Sequence, residues 1–239
     1  MEDDQFPLHT AARDGSELRV RALLKADPAA ASKKDHDGRT PIFWAVSSDR
    51  ADIVQQLLTA ASDDGKLVRI GIDDTDEAGW TLAHIAASIG SATVLDLLLP
   101  YGPDLAAQTA AGQTPLHYAV SRARLPVAER LLAAYPAAAR VRDRQRQTPL
   151  HRAAAIGSVP LITLLVRHQS PLNTSDASGW TPLFHAAAEG HGDAALALLA
   201  AGADPHRLDP DGHGFLDVAA DDKVKQWIVD AAKRDAIEL

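Results

Sequence analysis

Two histidines and one carboxylate lie close together near the end of the chain, where they could bind a metal ion. His185 and Glu189 are four residues apart and can share a helical face, whereas His191 follows Gly190, a residue type that ends helices. The order differs from the His-Glu-x-x-His of zinc proteases, and the stretch supplies no third ligand. Metal-dependent hydrolysis through His185 and His191 is therefore the weakest hypothesis, and we expect no metal and no cofactor.

Other chemically suggestive patterns are also incomplete. The zinc bond length of about 2 Å does not allow histidines in successive repeats to share an ion. Asp209-Pro-Asp211-Gly212 resembles the start of a calcium loop, but Ala220 stands where that loop needs glutamate. The chain contains no phosphate-binding glycine loop and no nucleophile elbow. We expect no enzyme. The histidines at this repeated position are His9, His84, His117 and His151, and we expect each to bond to the backbone of its own turn instead of a metal.

The segments that carry these residues recur along the chain. Successive copies are separated by 34, 41, 33, 34, 33 and 33 residues, and the fullest copies read Thr-Pro-Leu-His. A period near 33 with this motif is typical of ankyrin repeats. The first positions of the copies are Phe6, Thr40, Thr81, Thr114, Thr148, Thr181 and Gly214.

Each recurring residue has a structural role. The threonine caps a first helix, and the proline occupies its first turn. Pairs of leucine then give a second helix its buried face. Glycines nine residues after the threonine position end the first helix: Gly15, Gly90, Gly157 and Gly190. Glycines two residues before it form the turn of a projecting hairpin: Gly38, Gly79, Gly112, Gly179 and Gly212.

The pattern predicts an all-α repeat solenoid of seven ankyrin repeats, each a helix-turn-helix with a β-hairpin, curved around a concave binding face. We expect a single domain over 1–239. The repeats cover approximately 1–35, 36–75, 76–108, 109–142, 143–175, 176–208 and 209–239.

Three regions depart from the repeat. An acidic insertion over 61–79 lengthens the second repeat, and Arg146 replaces a turn glycine. The last segment carries Val224, Trp227, Ile228 and Ala231 on one helical face, which predicts a C-terminal cap.

Composition restricts the function further. The net charge of −8 disfavours nucleic-acid binding, and the absence of cysteine excludes disulfides and thiol catalysis. The first residues do not resemble a signal peptide, and no apolar run is long enough for a bilayer. We therefore expect a soluble intracellular protein that binds no membrane.

The residue before each threonine position is expected on the concave face. Trp80 and Trp180 are candidate interface anchors there, although each ring could instead pack across the neighbouring hairpin. Charge on this face is segregated. The first tips are acidic, through Asp35, Asp37, Asp76 and Glu77, and a later tip is basic, through Arg142, Arg144 and Arg146. A partner with the opposite charge pattern would fit this face.

Taken together, these motifs resemble the gankyrin family and its fungal members nearly end to end. The likeness is carried by DHDGRTPIFWAVS (35–47), DEAGWTLAHIAASIGS (76–91), RQTPLHRAAAIGSVPLI (146–162) and GWTPLFHAAAEGHGDAA (179–195). The resemblance implies a non-catalytic assembly chaperone of the 26S proteasome regulatory particle. Such a chaperone binds the C-terminal domain of one AAA-ATPase subunit of the base, and we expect it to be monomeric when free.

The resemblance also implies partner-binding residues. Arg39 and Arg142 would meet carboxylates of the ATPase domain, and Glu189 would meet a basic residue. The other expected binding residues are Asp37, Glu77, Trp80, Arg144 and Trp180. The Leu-x-Cys-x-Glu motif with which animal members bind the retinoblastoma protein is absent, because His185-Ala-Ala187-Ala-Glu189 stands in its place. The alternative function is a generic ankyrin-repeat adaptor, or an inhibitor of another protein such as a cell-cycle kinase.

Overall fold

A computed structural model describes residues 5–60 and 70–239. Asp63, Asp64 and the first part of the predicted acidic insertion lie outside the described residues. The chain forms two compact units, Met1–Ala110 and Ala111–Leu239. None of the described helices has the length and apolar character needed to cross a membrane.

In its described residues, 5–60 and 70–110, the first unit has three helix pairs and two short 3-10 helices. Within each pair the two helices pack against one another, and the first helices α1, α3 and α5 also pack in sequence. The pairs are α1 (Pro7–Asp14) with α2 (Glu17–Ala26), α3 (Pro41–Ser47) with α4 (Ala51–Leu58), and α5 (Leu82–Ile89) with α6 (Ala92–Leu98). The 3-10 helices are Pro28–Ser32 and Leu99–Tyr101.

The second unit continues the same pattern and ends in a single helix. Its first helices α7, α9 and α11 pack in sequence, and α13 packs on α12. The pairs are α7 (Pro115–Ser121) with α8 (Leu125–Ala134), α9 (Pro149–Ala155) with α10 (Val159–Arg167), and α11 (Pro182–Ala188) with α12 (Gly192–Ala200). A 3-10 helix, Pro136–Arg140, follows α8, and α13 (Asp222–Arg234) closes the unit.

The predicted helix boundaries are confirmed at their starts. Thr40, Thr81, Thr114, Thr148 and Thr181 are the N-cap residues of the first helices α3, α5, α7, α9 and α11. Proline occupies the first turn of all of these helices except α5. The N–H group that proline lacks has no partner in the first turn of a helix, so its absence costs nothing there. The threonines therefore mark the beginning of each described repeat pair after the first.

The apolar faces of the helices form the core of each unit. Phe43, Ile53 and Leu57 are fully buried in the first unit, and Leu131 and Phe184 are almost fully buried in the second. Small alanines on the first helices allow neighbouring helices to approach closely. Stacking of successive repeats thus buries surface that no single repeat could cover.

The C-terminal helix covers the last repeat as predicted, with one difference. Ile228 and Ala231 are buried, whereas 42% of the Trp227 surface is exposed. The Trp227 ring lies over the backbone of Gly192, where an added Cβ would come within 2.4 Å of the ring. Glycine at this position therefore lets the indole approach the backbone of α12, and the ring is only partly buried.

Left-handed backbone recurs at the predicted positions. The turn glycines have φ values between 72° and 85°, and Arg146 adopts φ 61° at the equivalent point. The same conformation is adopted after α3 by Asp49 and after α7 by Ala123, both with φ 55°. A residue with a Cβ is strained in this region, so the turn is imposed by the repeat even where glycine is missing.

The projecting hairpins are tight turns. A hairpin turn is the five-residue segment that ends just before the threonine position, and it takes the number of the repeat that it opens: second 35–39, third 76–80, fourth 109–113, fifth 143–147, sixth 176–180 and seventh 209–213. Most are closed by a backbone hydrogen bond between their first and last residues, such as Asp176 N to Trp180 O at 2.9 Å. Among the described residues no strand forms, and the single β-bridge joins Leu208 and Gly214. The predicted hairpins are therefore tight turns without an extended ladder of strand pairing.

Candidate protein-binding face

An aspartate closes the hairpin turns from within. One carboxylate oxygen of Asp76 accepts the backbone N–H groups of Ala78 and Trp80 at 3.0 and 2.9 Å. Asp176 does the same for Ser178 and Trp180. Because these carboxylates satisfy backbone donors, they are structural parts of the turn. The equivalent aspartates are Asp35, Asp76, Asp143, Asp176 and Asp209.

The second oxygen of these aspartates links one repeat to another. Arg39 donates from Nε and Nη2 to Asp76 Oδ2 at 3.1 and 2.8 Å. Gln147 Nε2 donates to Asp176 Oδ2 at 2.9 Å. In both cases the residue before the threonine position reaches the turn aspartate of the next repeat. Residues that the sequence placed on an open binding face therefore also hold neighbouring repeats together.

A third set of donors comes from the first helix of the same repeat. Trp44 Nε1 donates to Asp35, Arg152 Nη2 donates to Asp143, and His185 Nε2 lies 2.9 Å from Asp176 Oδ2. Each donor lies nine residues after its aspartate. One carboxylate thereby holds the turn to the first helix of its own repeat. At Asp76 and Asp176 it also binds the preceding repeat.

Hydrogen bonding favours the charged form of Asp143 and Asp176. Burial alone would raise the pKa of Asp143, but hydrogen bonds from Arg152 and the Gln147 N–H outweigh it and lower the pKa. The pKa of Asp176 is lowered in the same way: burial would raise it, but hydrogen bonds from Gln147 and His185 outweigh this effect. Asp35 and Asp76 were predicted as acidic tip charges. That view is wrong for Asp76, whose side chain is 3% exposed and paired with Arg39.

The recurring histidines complete the helix caps. In three repeats the histidine Nδ1 accepts the backbone N–H of the threonine and lies 2.8–2.9 Å from its hydroxyl: His84, His117 and His151. The opposite nitrogen of His117 lies 3.2 Å from the Gln147 carbonyl oxygen. The expectation that these histidines bond to their own turns is confirmed, and a neutral imidazole is required for Nδ1 to accept.

The residues of the opening metal hypothesis have separate contacts. His185 pairs with Asp176 and stacks edge-on against Trp180 at 5.5 Å and His151 at 5.7 Å. His191 lies over Gly157, where a Cβ would come within 2.6 Å of the ring. Glu189 is exposed at the end of α11. No group of three metal-ligand side chains that includes these residues occurs in the described part of the chain.

One such group does occur, in the last hairpin turn. Ligand atoms of Asp209, Asp211 and His213 lie within 4.8 Å of one another. Their proximity follows from turn closure, because Asp209 Oδ1 accepts the N–H groups of Asp211 and His213. This is the segment whose sequence resembles the start of a calcium loop.

The predicted binding residues of the first unit gather at two adjacent hairpin turns. Asp37 and Glu77 are exposed, and Glu77 N donates to Asp37 O at 3.3 Å. Neither carboxylate has a side-chain partner among residues 5–60 and 70–239. Arg39 is half-buried against Asp76, and Trp80 is half-buried beside His84, with ring centroids 6.2 Å apart. The unit thus presents two unpaired acidic side chains next to a partly covered arginine and indole.

The predicted residues of the second unit form two groups. Arg142 and Arg144 are exposed at the fifth hairpin turn, beside the exposed and left-handed Arg146. The half-buried Trp180 ring rests on Phe184, at 6.1 Å between centroids, and on His185. The Ala177 N–H donates to Gln145 O, which joins the fifth and sixth turns. Glu189 lies apart from the turns, at the C-terminal end of α11.

Sequence reasoning missed the turn aspartates as a set. They recur five residues before the threonine position in every described hairpin turn except the fourth, where Thr109 stands. This periodicity was visible in the sequence. Reading the aspartates as surface charge concealed their role as acceptors.

Comparison with known proteins agrees with the repeat pattern. The family "Ankyrin repeats (3 copies)" matches residues 1–66, 59–143 and 124–209. The ankyrin repeat domain of human ASB11 is similar in fold, with a TM-score of 0.79 at 24% identity, over 93% of this chain and 96% of that one.

Two fungal relatives match over nearly their full lengths. The Saccharomyces cerevisiae protein named probable 26S proteasome regulatory subunit p28 is 40% identical, over 94% of this chain and 97% of the relative. An ankyrin repeat-containing protein of Schizosaccharomyces pombe is 37% identical, over 92% of both chains. With its repeats, capped helices and end-to-end similarity, the chain belongs to the gankyrin family of ankyrin-repeat proteins.

Proposed function

We propose that this chain is a non-catalytic chaperone that binds the C-terminal domain of one proteasomal AAA-ATPase subunit and assists assembly of the regulatory-particle base. The carrying observation is the 40% identity to the yeast proteasome regulatory subunit over 94% of this chain. The activity would reside in the cytoplasm and nucleus, where proteasomes assemble. No catalytic group is needed for it, since holding a partner domain requires only a complementary surface.

The exposed charges of the hairpin turns fit this role. The exposed Asp37 and Glu77 would face basic residues of a partner, and the exposed Arg142 and Arg144 would face acidic ones. A charge-assisted hydrogen bond is worth about 1.5–3 kcal/mol when it is desolvated at an interface. Half-buried Trp80 and Trp180 would add apolar contact beside these charges. Glu189 would supply a further acidic contact.

Binding to the purified C-terminal domains of all six base ATPase subunits tests the proposal. Wild-type protein should bind one domain tightly, and the Arg142→Glu/Arg144→Glu double variant should lose about tenfold or more in affinity. Arg39 is left intact because its guanidinium holds Asp76, so its reversal would also damage the fold.

Arg124→Glu is the matched control, because Arg124 is exposed in the same unit and lies outside the hairpin turns. Wild-type melting behaviour for both variants excludes unfolding as the cause. Binding to none of the six domains would contradict the proposal. If the double variant still bound with wild-type affinity, Arg142 and Arg144 would not belong to the interface. Binding to a kinase but to no ATPase domain would favour the adaptor or inhibitor alternative.

A further inference from the structure

A pocket with two arginines in its lining lies in the second unit, away from the hairpin turns. It has a volume of about 330 Å³ and is lined by Pro136, Ala137, Arg140, Arg167, His168 and Gln169. This volume is at the lower end of the range for small-molecule sites. Arg140 precedes the arginines of the fifth hairpin turn in the sequence. Its side chain lines this pocket and forms hydrogen bonds with Gln169.

The pocket concentrates donors and contains no acid. The chain has 32 Asp and Glu residues against 24 Lys and Arg, yet none of the lining residues is acidic. Arg167 and His168 make no side-chain hydrogen bond or ion pair within residues 5–60 and 70–239. Arg140 and Arg167 are both exposed and line the same pocket, so an anion bound there would be attracted by two positive charges with no lining carboxylate to oppose it.

Arg140 is already oriented for binding. Its Nε donates to Gln169 O at 3.2 Å, and its Nη2 donates to Gln169 Oε1 at 2.5 Å. These bonds fix the guanidinium plane and leave Nη1 for a ligand. They also commit the amide oxygen of Gln169, so that its NH₂ group remains a donor. Little side-chain entropy is then lost when an anion binds.

We propose that this pocket binds a phosphate monoester. Such a group carries about −1.5 to −2 charges at neutral pH and three strong acceptor oxygens. A planar carboxylate is satisfied by one guanidinium fork, whereas two arginines, an imidazole and an amide match the tetrahedral acceptor better. The phosphate could be carried by a small free molecule or by a phosphorylated side chain of another protein.

Titration of the full-length protein, followed by the backbone amide NMR signals of Ala137, His168 and Gln169, tests the site. Phenyl phosphate, a phosphoserine peptide, its unphosphorylated twin and acetate are compared at one ionic strength, because salt screens exposed charges. We expect saturable shifts with both phosphate probes only. Peptide affinity at least about tenfold above that of phenyl phosphate would identify a protein source, and equal affinities a free phosphate ester.

Arg167→Ala is the informative variant, since its side chain holds nothing else in the described structure. It should weaken phosphate binding about tenfold, equivalent to about 1.4 kcal/mol. Arg124→Ala removes an exposed arginine outside the pocket and should bind like the wild type. The proposal is overturned if neither phosphate probe binds at millimolar concentration, if acetate binds equally well, or if both variants weaken binding alike. Arg167→Ala should leave ATPase-domain binding unchanged, so this test is independent of the proposed function.

Discussion

Replacing Arg146 by glycine should stabilise the protein. Arg146 holds φ 61° at a position where the other hairpin turns have glycine with φ values between 72° and 85°. Left-handed backbone costs a non-glycine residue about 1–2 kcal/mol. Glycine reduces the resulting stabilisation by about 0.5–1 kcal/mol, because it gives the unfolded chain more conformational freedom. The net gain should be about 0.5–1 kcal/mol, which raises the melting temperature by about 1–4 °C in a protein of this size.

Two controls separate backbone strain from loss of charge. Arg146→Ala removes the guanidinium but keeps a Cβ in the strained conformation, so its stability should stay close to that of the wild type. Arg144→Gly makes the same chemical change where φ is not left-handed, and it should lower stability by about 0.5–1 kcal/mol. Thermal unfolding followed by circular dichroism measures all three. Equal stabilisation by Arg146→Gly and Arg146→Ala would refute the strain argument and assign the effect to charge.

Three further perturbations have clear expected outcomes. Burial and His185 lower the pKa of His151 from 6.5 to about 4. Between these values the unfolded chain binds a proton that the folded chain does not, so stability should fall by about 2 kcal/mol from pH 7 to pH 5. Urea unfolding should show a flatter pH dependence in His151→Gln; an unchanged slope would reject this assignment. Arg152→Met leaves Asp143 without its guanidinium and should cost about 1–3 kcal/mol in urea unfolding, and a neutral result would show that the remaining donors suffice. Deleting α13 should expose the surface under Ile228 and cause aggregation on size exclusion, whereas a monomer of full stability would disprove the cap.

The repeat architecture was predictable because its signals are local and periodic. The Thr-Pro pair at Thr148 and Pro149 specifies the start of α9, and Gly90 specifies the end of α5. Both signals can be read locally because helix caps and left-handed backbone depend on residue type. Arg146 illustrates the same point in reverse. It stands where the repeat calls for a turn glycine, and the backbone there is left-handed although the residue type alone would not suggest it.

The use of individual side chains was harder to predict because it depends on neighbours distant in sequence. Arg39 and Asp76 are 37 residues apart, and their pairing is set by the stacking of two repeats. The local cluster of acidic residues therefore led to the wrong prediction that Asp76 is a surface charge. Trp80 and Trp180 were left with two interpretations, and the half-buried rings retain both packing and an exposed edge.

The side-chain links between hairpin turns have a direction, opposite to that of the backbone links such as Ala177 N to Gln145 O. In the pairs formed by Arg39 with Asp76 and by Gln147 with Asp176, the donor always belongs to the earlier repeat and the buried acceptor to the later one. Loss of the later repeat releases a donor that water can solvate at once. Loss of the earlier repeat instead leaves a carboxylate, still closing its own turn, without its donor. Within each unit, fraying should therefore proceed more readily from the C-terminal side, and hydrogen exchange should reveal that asymmetry as a gradient of protection.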